Sequence, residues 1–168
     1  MKIAFSGSHG TGKTTSVFEL AHSQKMEHAN QRVGIFHENA ARAPKGLFNK
    51  KGTKESQLWI FTNQMQEEIS LSYEYNILIC DRTVFDSIAY THVVLDSENL
   101  CECMFNLAME HIQSYDQIFF KLIKNNNYWF DCEHRETKDI DYRQNVENIL
   151  LSLYEKSGIT KTNKFKIV

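Results

Sequence analysis

Residues 2–15 read KIAFSGSHGTGKTT, an apolar run that breaks into a glycine-rich loop and ends on Gly-Lys-Thr. Gly7 to Thr14 match G-x-x-x-x-G-K-[ST] without a mismatch. Each residue type has a physical reason. Glycines let the backbone curl around a phosphate and aim N–H groups at it, and the next helix N-terminus adds its dipole. Lys13 reaches the β and γ phosphates, and the Thr14 hydroxyl ligates Mg²⁺. The nucleotide-binding set is therefore Gly7, Ser8, His9, Gly10, Thr11, Gly12, Lys13, Thr14 and Thr15, with His9 and Thr11 at variable positions that carry no role of their own. The motif works only between a strand and a helix. Residues 2–6 and about 13–26 supply both by pattern, with Val17, Leu20, Ala21 and Gln24 on one side of the helix.

The rest of the chain repeats that alternation. Residues 32–37 (RVGIFH), 76–80 (NILIC), 117–123 (QIFFKLI) and 164–168 (KFKIV) read as strands. Helical spacing spans 55–73, with Leu58, Phe61, Met65, Ile69 and Tyr73 as the expected buried stripe. It recurs over 84–95, over 98–114 (Leu100, Met104, Leu107, Ala108, Ile112) and over 139–156 (Tyr142, Val146, Ile149, Leu150, Leu153). Pro44, Gly46 and Gly52 predict a partly irregular segment over 38–54, and 128–138 reads as a polar connection. Gly158 sits where a left-handed helix stop belongs. Strands alternating with helices imply an α/β fold with a parallel sheet of about five strands covered on both faces. With the loop, this is the three-layer P-loop NTPase sandwich. Ligands of such sheets bind at the carboxyl ends of the strands. Those ends carry Gly7, Glu38, Asp81 and the 124–138 connection.

Composition narrows the function classes. A length of 168 residues and an apolar fraction of 42% suit one domain over 1–168. A net charge of −2 argues against a nucleic-acid coat, which needs a basic surface. No apolar run approaches the ~18 residues of a membrane span, so no membrane partner is expected. Lys2 is followed by only Ile3, Ala4 and Phe5 before Ser6, which is not a signal-peptide shape. Cys80, Cys101, Cys103 and Cys132 form no CxxC pair and no zinc spacing, and suit thiols in a reducing cytoplasm.

Two further places carry candidate chemistry. Asp81 ends an apolar strand, where a carboxylate can complete the shell of a nucleotide-bound Mg²⁺, directly or through water; the plainer role is a helix cap. Arg82 beside it can stabilise charge on a transferred group, or form a surface ion pair. Glu38 ends the second strand and can take a proton from a substrate hydroxyl. Its plain alternative is an exposed pair with Arg42, four residues on. In LWIFTNQMQEE (58–68), Trp59, Phe61 and Gln64 can line a pocket. By periodicity alone, Leu58, Phe61 and Met65 are core and Gln64 is exposed.

The strings GSHGTGKTT, ENAAR, QLWIFTNQ and ICDRTVFDSIAY, in that order, resemble the deoxynucleoside kinase and nicotinamide riboside kinase branch of small P-loop kinases, including compact AAA-domain-like relatives. The resemblance covers residues 1–95 and fades beyond. It implies that Glu38, Arg42, Trp59, Phe61, Gln64 and Arg82 bind the acceptor, with Gln64 reading a planar base. It implies Asp81 and Thr14 at the metal, and a catalytic set of Lys13, Glu38, Asp81, Arg82 and Arg135, with Glu38 or Asp81 as the base. It also implies an Arg-bearing lid, placed here at 124–143, with Arg135 and Arg143 as candidates and Lys138 as a weaker one. Asp81 stands where deoxynucleoside kinases carry Glu, and the chain is shorter than theirs.

The function expected is an ATP- and Mg²⁺-dependent phosphotransferase acting on a nucleoside-like or nucleotide small molecule. A thymidylate-type monophosphate kinase is the near alternative, in which Arg42 and Lys45 would face the charged acceptor. The alternative from another class is a nucleotide-dependent ATPase or GTPase switch without a small-molecule acceptor. A homodimer is the candidate assembly.

Overall fold

The computed structural model describes residues 1–43, 52–123 and 140–168. Strands β1 (Lys2–Ser6), β2 (Val33–Phe36), β3 (Ile77–Asp81), β4 (Gln117–Phe120) and β5 (Phe165–Ile167) form one sheet of five, in the order β2-β3-β1-β4-β5. Every pairing is parallel. Helices α1 (Lys13–Glu27), α2 (Lys54–Glu74), α3 (Val84–Leu95), α4 (Glu98–Ile112) and α5 (Ile140–Lys156) complete the alternation. The fold is the expected α/β sandwich of three layers.

Sequence explains the order. β1 and β3 are buried at every residue, which fits their central places. β2 alternates buried and half-buried residues, and β5 at the other edge is mostly exposed. Successive side chains of β1 serve opposite faces: Ala4 joins the larger core, and Phe5 joins the smaller one with Val17, Ile77 and Ile79. α1 covers the smaller core. The larger core collects Phe61 of α2, Phe85 and Ile88 of α3, Met104 and Phe105 of α4, and Val146, Leu150 and Tyr154 of α5.

Three expectations are corrected. The strand read over 117–123 ends at Phe120, so residues 121–123 leave the sheet at its carboxyl edge. On α4, Leu107 is exposed, and Cys101 and Phe105 turn inward instead. The larger correction concerns α2. Its apolar line Leu58, Ile69 and Tyr73 is exposed, while Gln57, Gln64 and Glu68 face inward beside Ile60 and Phe61. Periodicity found a helical stripe rotated away from the buried one, because the buried polar side chains are satisfied by hydrogen bonds and need no water. Gly158 is left-handed as expected, at φ 74°. Expectations for Pro44, Gly46 and residues 124–139 lie outside the described residues.

One close approach holds β2 in place. A Cβ on Gly34 would overlap the Tyr75 ring, which follows α2. Gly34→Ala is expected to cost about 1–3 kcal/mol in urea unfolding, the usual penalty for overpacking. Adding Tyr75→Ala is expected to recover part of that loss, a non-additivity that a double-mutant cycle measures.

Candidate functional site

The carboxyl ends of β1, β2, β3 and β4 bring the chemistry to one edge. Gly7 leaves β1 at φ 135°, and a Cβ there would overlap the Lys121 carbonyl just past β4. Only glycine fits both the angle and the space. Gly10 and Gly12 are also left-handed. Lys13 is buried; its ammonium donates to the Ser8 carbonyl at 2.6 Å and lies 3.4 Å from Thr11 Oγ1. Thr14 and Thr15 are exposed at the start of α1.

The loop fits a polyphosphate on three counts. α2 and α3 both begin with reciprocal capping boxes, but α1 has no side-chain cap and no acid in its first turn. Its N–H groups are thus left for an anion. Ser8 Oγ is fully buried with no hydrogen-bond partner among the described residues. Burial, with the Arg82 charge beside it, pulls the Lys13 ammonium down to about 7, against the opposing pull of Asp86, Asp81 and Glu38. A phosphate would restore its charge.

For a metal, the Thr14 hydroxyl donates to Asp81 Oδ2 at 2.5 Å. Asp81 does not cap α3; Thr83 and Asp86 do that. Among the described residues no three His, Cys, Asp or Glu side chains group to hold a metal alone. Two oxygens, completed by phosphate and water, match the way Mg²⁺ is held beside nucleotides.

Asp86 was not singled out from the sequence, and it holds the edge together. It is fully buried. Its Oδ2 accepts from Ser6 Oγ at 2.7 Å, Thr83 N–H at 2.9 Å and Thr83 Oγ1 at 3.0 Å. Its Oδ1 accepts from Gly7 N–H and from the Arg82 guanidinium, both at 3.3 Å. The spacing T-x-x-D before an apolar helix, residues 83–86, was the available signal.

Arg82 is buried and takes φ 98°, a costly conformation for a bulky residue. Its Nε lies 3.0 Å from Glu38 Oε1, close enough for charge attraction but not aligned as a hydrogen bond. Its guanidinium lies 5.0 Å from the Tyr90 ring centre. Burial alone would lower its pKa, but Glu38, Tyr90, Asp86 and Asp81 together push it well above its ordinary value. Glu38 thus pairs with Arg82, not with Arg42. Asn39, next to it, ties this strand end to α2 by donating to the Ile60 carbonyl at 3.3 Å and to Asn63 at 3.0 Å.

The other acceptor candidates separate. Arg42 reaches outward to both Glu67 oxygens at 2.7 Å. Trp59 is half-buried, and Phe61 is inside the core. Gln64 is buried, not exposed: its Nε2 donates to Glu68 at 2.8 Å, and its Oε1 accepts from Ser87 at 3.2 Å. Arg143, on α5, lies over the loop, donating to the His9 carbonyl at 3.1 Å, with its guanidinium against Gly10. Tyr90 Oη lies 3.1 Å from the His9 N–H and 3.0 Å from the His9 ring. Lys121 donates to Ser16 at 2.6 Å and to the Gly12 carbonyl at 3.2 Å. Its place just past a central strand was the only signal for it. Lys45, Arg135 and Lys138 lie outside the described residues.

A family model described as an AAA domain matches residues 2–164. The chain belongs to that family. No curated protein matches the sequence. Among solved structures, deoxyadenosine kinase from M. mycoides with bound dATP is similar at 17% identity and a TM-score of 0.69, over 100% of this chain and 90% of that one. Thymidylate kinase from Ehrlichia chaffeensis is similar at 19% identity and a TM-score of 0.68, over 100% of this chain and 91% of that one. Thymidylate kinase from Candida albicans is similar at 17% identity and a TM-score of 0.65, over 99% of this chain and 82% of that one. These likenesses show that the family member shares the α/β fold of those proteins. Among its described residues no helix is long and apolar enough to cross a membrane.

The lowered Lys13 pKa makes nucleotide binding a proton-linked event. Burial lowers the free Lys13 ammonium to about 7, and a bound phosphate is expected to raise it again. Affinity for a nucleotide is therefore expected to fall by up to ~tenfold per pH unit above that point, while below it only the terminal phosphate's own proton, at about pH 6, changes the binding. Titration calorimetry in buffers of different ionisation enthalpy measures the uptake. Zero uptake from about pH 6 to 9 contradicts the linkage.

Proposed function

We propose that the protein is an ATP- and Mg²⁺-dependent phosphotransferase whose acceptor is a hydroxyl of a nucleoside-like small molecule or the phosphate of a nucleotide. The observation that carries this reading is the pair of adjacent sites at one sheet edge. The loop with Lys13 and the Thr14–Asp81 pair forms one, and the Glu38–Arg82 ion pair forms the other. A hydrolytic switch needs only the first. The kinase fold of the neighbours, and the dATP in one of them, support the same reading.

The chain's groups divide the work of positioning and charge stabilisation. Lys13 and the loop hold the β and γ phosphates. Thr14 and Asp81 would hold Mg²⁺, which neutralises charge on the β and γ oxygens when bound. Glu38 takes the proton from the acceptor hydroxyl as its oxygen bonds the γ phosphorus and the bond to the β-phosphate oxygen breaks, releasing ADP. Asp81 is the alternative base. Arg82, and Arg143 over the loop, stabilise the transferred charge; the resemblance adds Arg135, which lies outside the described residues. Trp59 and Gln64 hold the acceptor from α2, Phe61 backs them from the core, and Arg42 stands at the rim.

Lys13→Ala is expected to lower kcat/KM by about a hundredfold to a thousandfold, the cost of losing a preorganised cation at the developing charge. Asp81→Ala is expected to lose activity that high Mg²⁺ partly restores, whereas Lys13→Ala is not restored. Coupled assay with a panel of nucleosides and nucleoside monophosphates checks both. An ATPase rate that no acceptor changes would instead favour the switch.

A further inference from the structure

We propose that Tyr90 is a positioning residue for Arg82: its ring backs the guanidinium while its hydroxyl is held by His9 at the tip of the phosphate loop, so that the loop tip and the acceptor-side cation are set as one unit. This rests on the phosphotransferase reading, in which Arg82 stabilises the transferred charge.

Arg82 needs such a support. Its Nε faces Glu38 Oε1 at 3.0 Å without the alignment of a hydrogen bond, and its bond to Asp86 Oδ1 is 3.3 Å long. Charge-assisted bonds of this kind are usually shorter and aligned. The two carboxylates thus hold the charge in place and leave the plane of the guanidinium loosely fixed. Its third side is the Tyr90 ring, with the guanidinium carbon 5.0 Å from the ring centre. At that range a guanidinium rests on an aromatic face.

Tyr90 is in turn fixed from the loop. Asp86 and Tyr90 stand one turn apart on α3, and both reach the loop and Arg82. Asp86 receives the Gly7 N–H at 3.3 Å. Tyr90 Oη receives the His9 N–H at 3.1 Å and lies 3.0 Å from His9 Nδ1. Burial raises the Tyr90 pKa, against the pull of the Arg82 charge, so the hydroxyl keeps its hydrogen. That hydrogen suits a neutral His9 Nδ1, so one hydroxyl is met by both the backbone and the ring of a single loop residue. The His9 ring centre also lies 5.7 Å from that of Tyr142, and the His9 carbonyl accepts from Arg143 at 3.1 Å. A position that the phosphate motif leaves open therefore joins the loop to α3 and α5. A smaller residue there would keep the N–H bond and lose the ring's.

The test uses the full chain and four variants. Tyr90→Phe keeps the ring and removes the hydroxyl, and Tyr90→Leu removes both. His9→Ala removes the ring on the loop, and His9→Ala with Tyr90→Phe closes the cycle. In ATP-dependent transfer to thymidine, deoxyadenosine and dTMP, Tyr90→Leu is expected to lower kcat by ~tenfold or more while the KM for ATP changes less than ~twofold. Tyr90→Phe and His9→Ala are each expected to lower kcat by about threefold, and the double variant no further than the worse of the two. The Arg82 Nε–H signal in ¹⁵N spectra should exchange slowly with water in the wild type and in Tyr90→Phe, and at least ~tenfold faster in Tyr90→Leu. A wild-type kcat or an unchanged Arg82 exchange rate in Tyr90→Leu overturns the inference, as do additive effects of His9→Ala and Tyr90→Phe. Should Tyr90→Leu not fold, Tyr90→Phe and the double variant decide it. No transfer to any acceptor by the wild type overturns the phosphotransferase reading instead, and the exchange rates then still show whether Tyr90 holds the guanidinium.

Discussion

A single buried carboxylate joins the two halves of the functional edge. Asp86 receives hydrogens from the last residue of β1, the first residue of the phosphate loop, the start of α3 and the Arg82 guanidinium. The loop is thereby fixed to the turn after β3 by charge-assisted hydrogen bonds within one enclosed space. Such bonds are roughly twice as strong as neutral ones. The same residue completes the cap of α3, so helix formation and loop placement are one event. Without it, several N–H and O–H groups would stay buried and unpaired and Arg82 would keep only Glu38, which costs more than the lost bonds alone.

Charge at this edge shows burial and partners competing. Burial opposes the charged form of Lys13 and of Arg82 alike. For Lys13 the carboxylates are outweighed and the ammonium weakens; for Arg82 they win. The difference follows from placement. Arg82 lies within 3.3 Å of both Glu38 and Asp86, while the bonds that reach Lys13 are to a backbone carbonyl and a hydroxyl. The loop lysine thus depends on an incoming anion for its charge, and Arg82 does not.

Much of this was legible in the sequence. The loop, the strand before it and the helix after it follow from Gly7 to Thr14 and the apolar run ahead of them. The parallel sheet follows from alternation, and Asp81 ends β3, where it accepts from the Thr14 hydroxyl. What was not legible depends on partners distant in sequence. Glu38 chose Arg82 over the nearer Arg42, because buried opposite charges attract more than exposed neighbours on one turn. α2 buried Gln57, Gln64 and Glu68 because α3, α4 and β1 supplied their partners. Hydrophobic periodicity assumes that polar means outward, and it fails where a network satisfies every polar atom.

Arg82 carries a consequence for how this protein can change. Its backbone is held where glycine would be comfortable, yet its side chain is the counter-charge between Glu38 and Asp86. Glycine there would relieve about 1–3 kcal/mol of backbone strain. It would also remove the cation that lies within 3.3 Å of the buried Asp86 carboxylate, a loss of about 3–5 kcal/mol. No single substitution collects the gain without the loss. Asp86, the carboxylate that would lose this partner, also holds the phosphate loop. For glycine at this position, the relief of strain is thus outweighed by the loss of the charge that the loop's own anchor depends on.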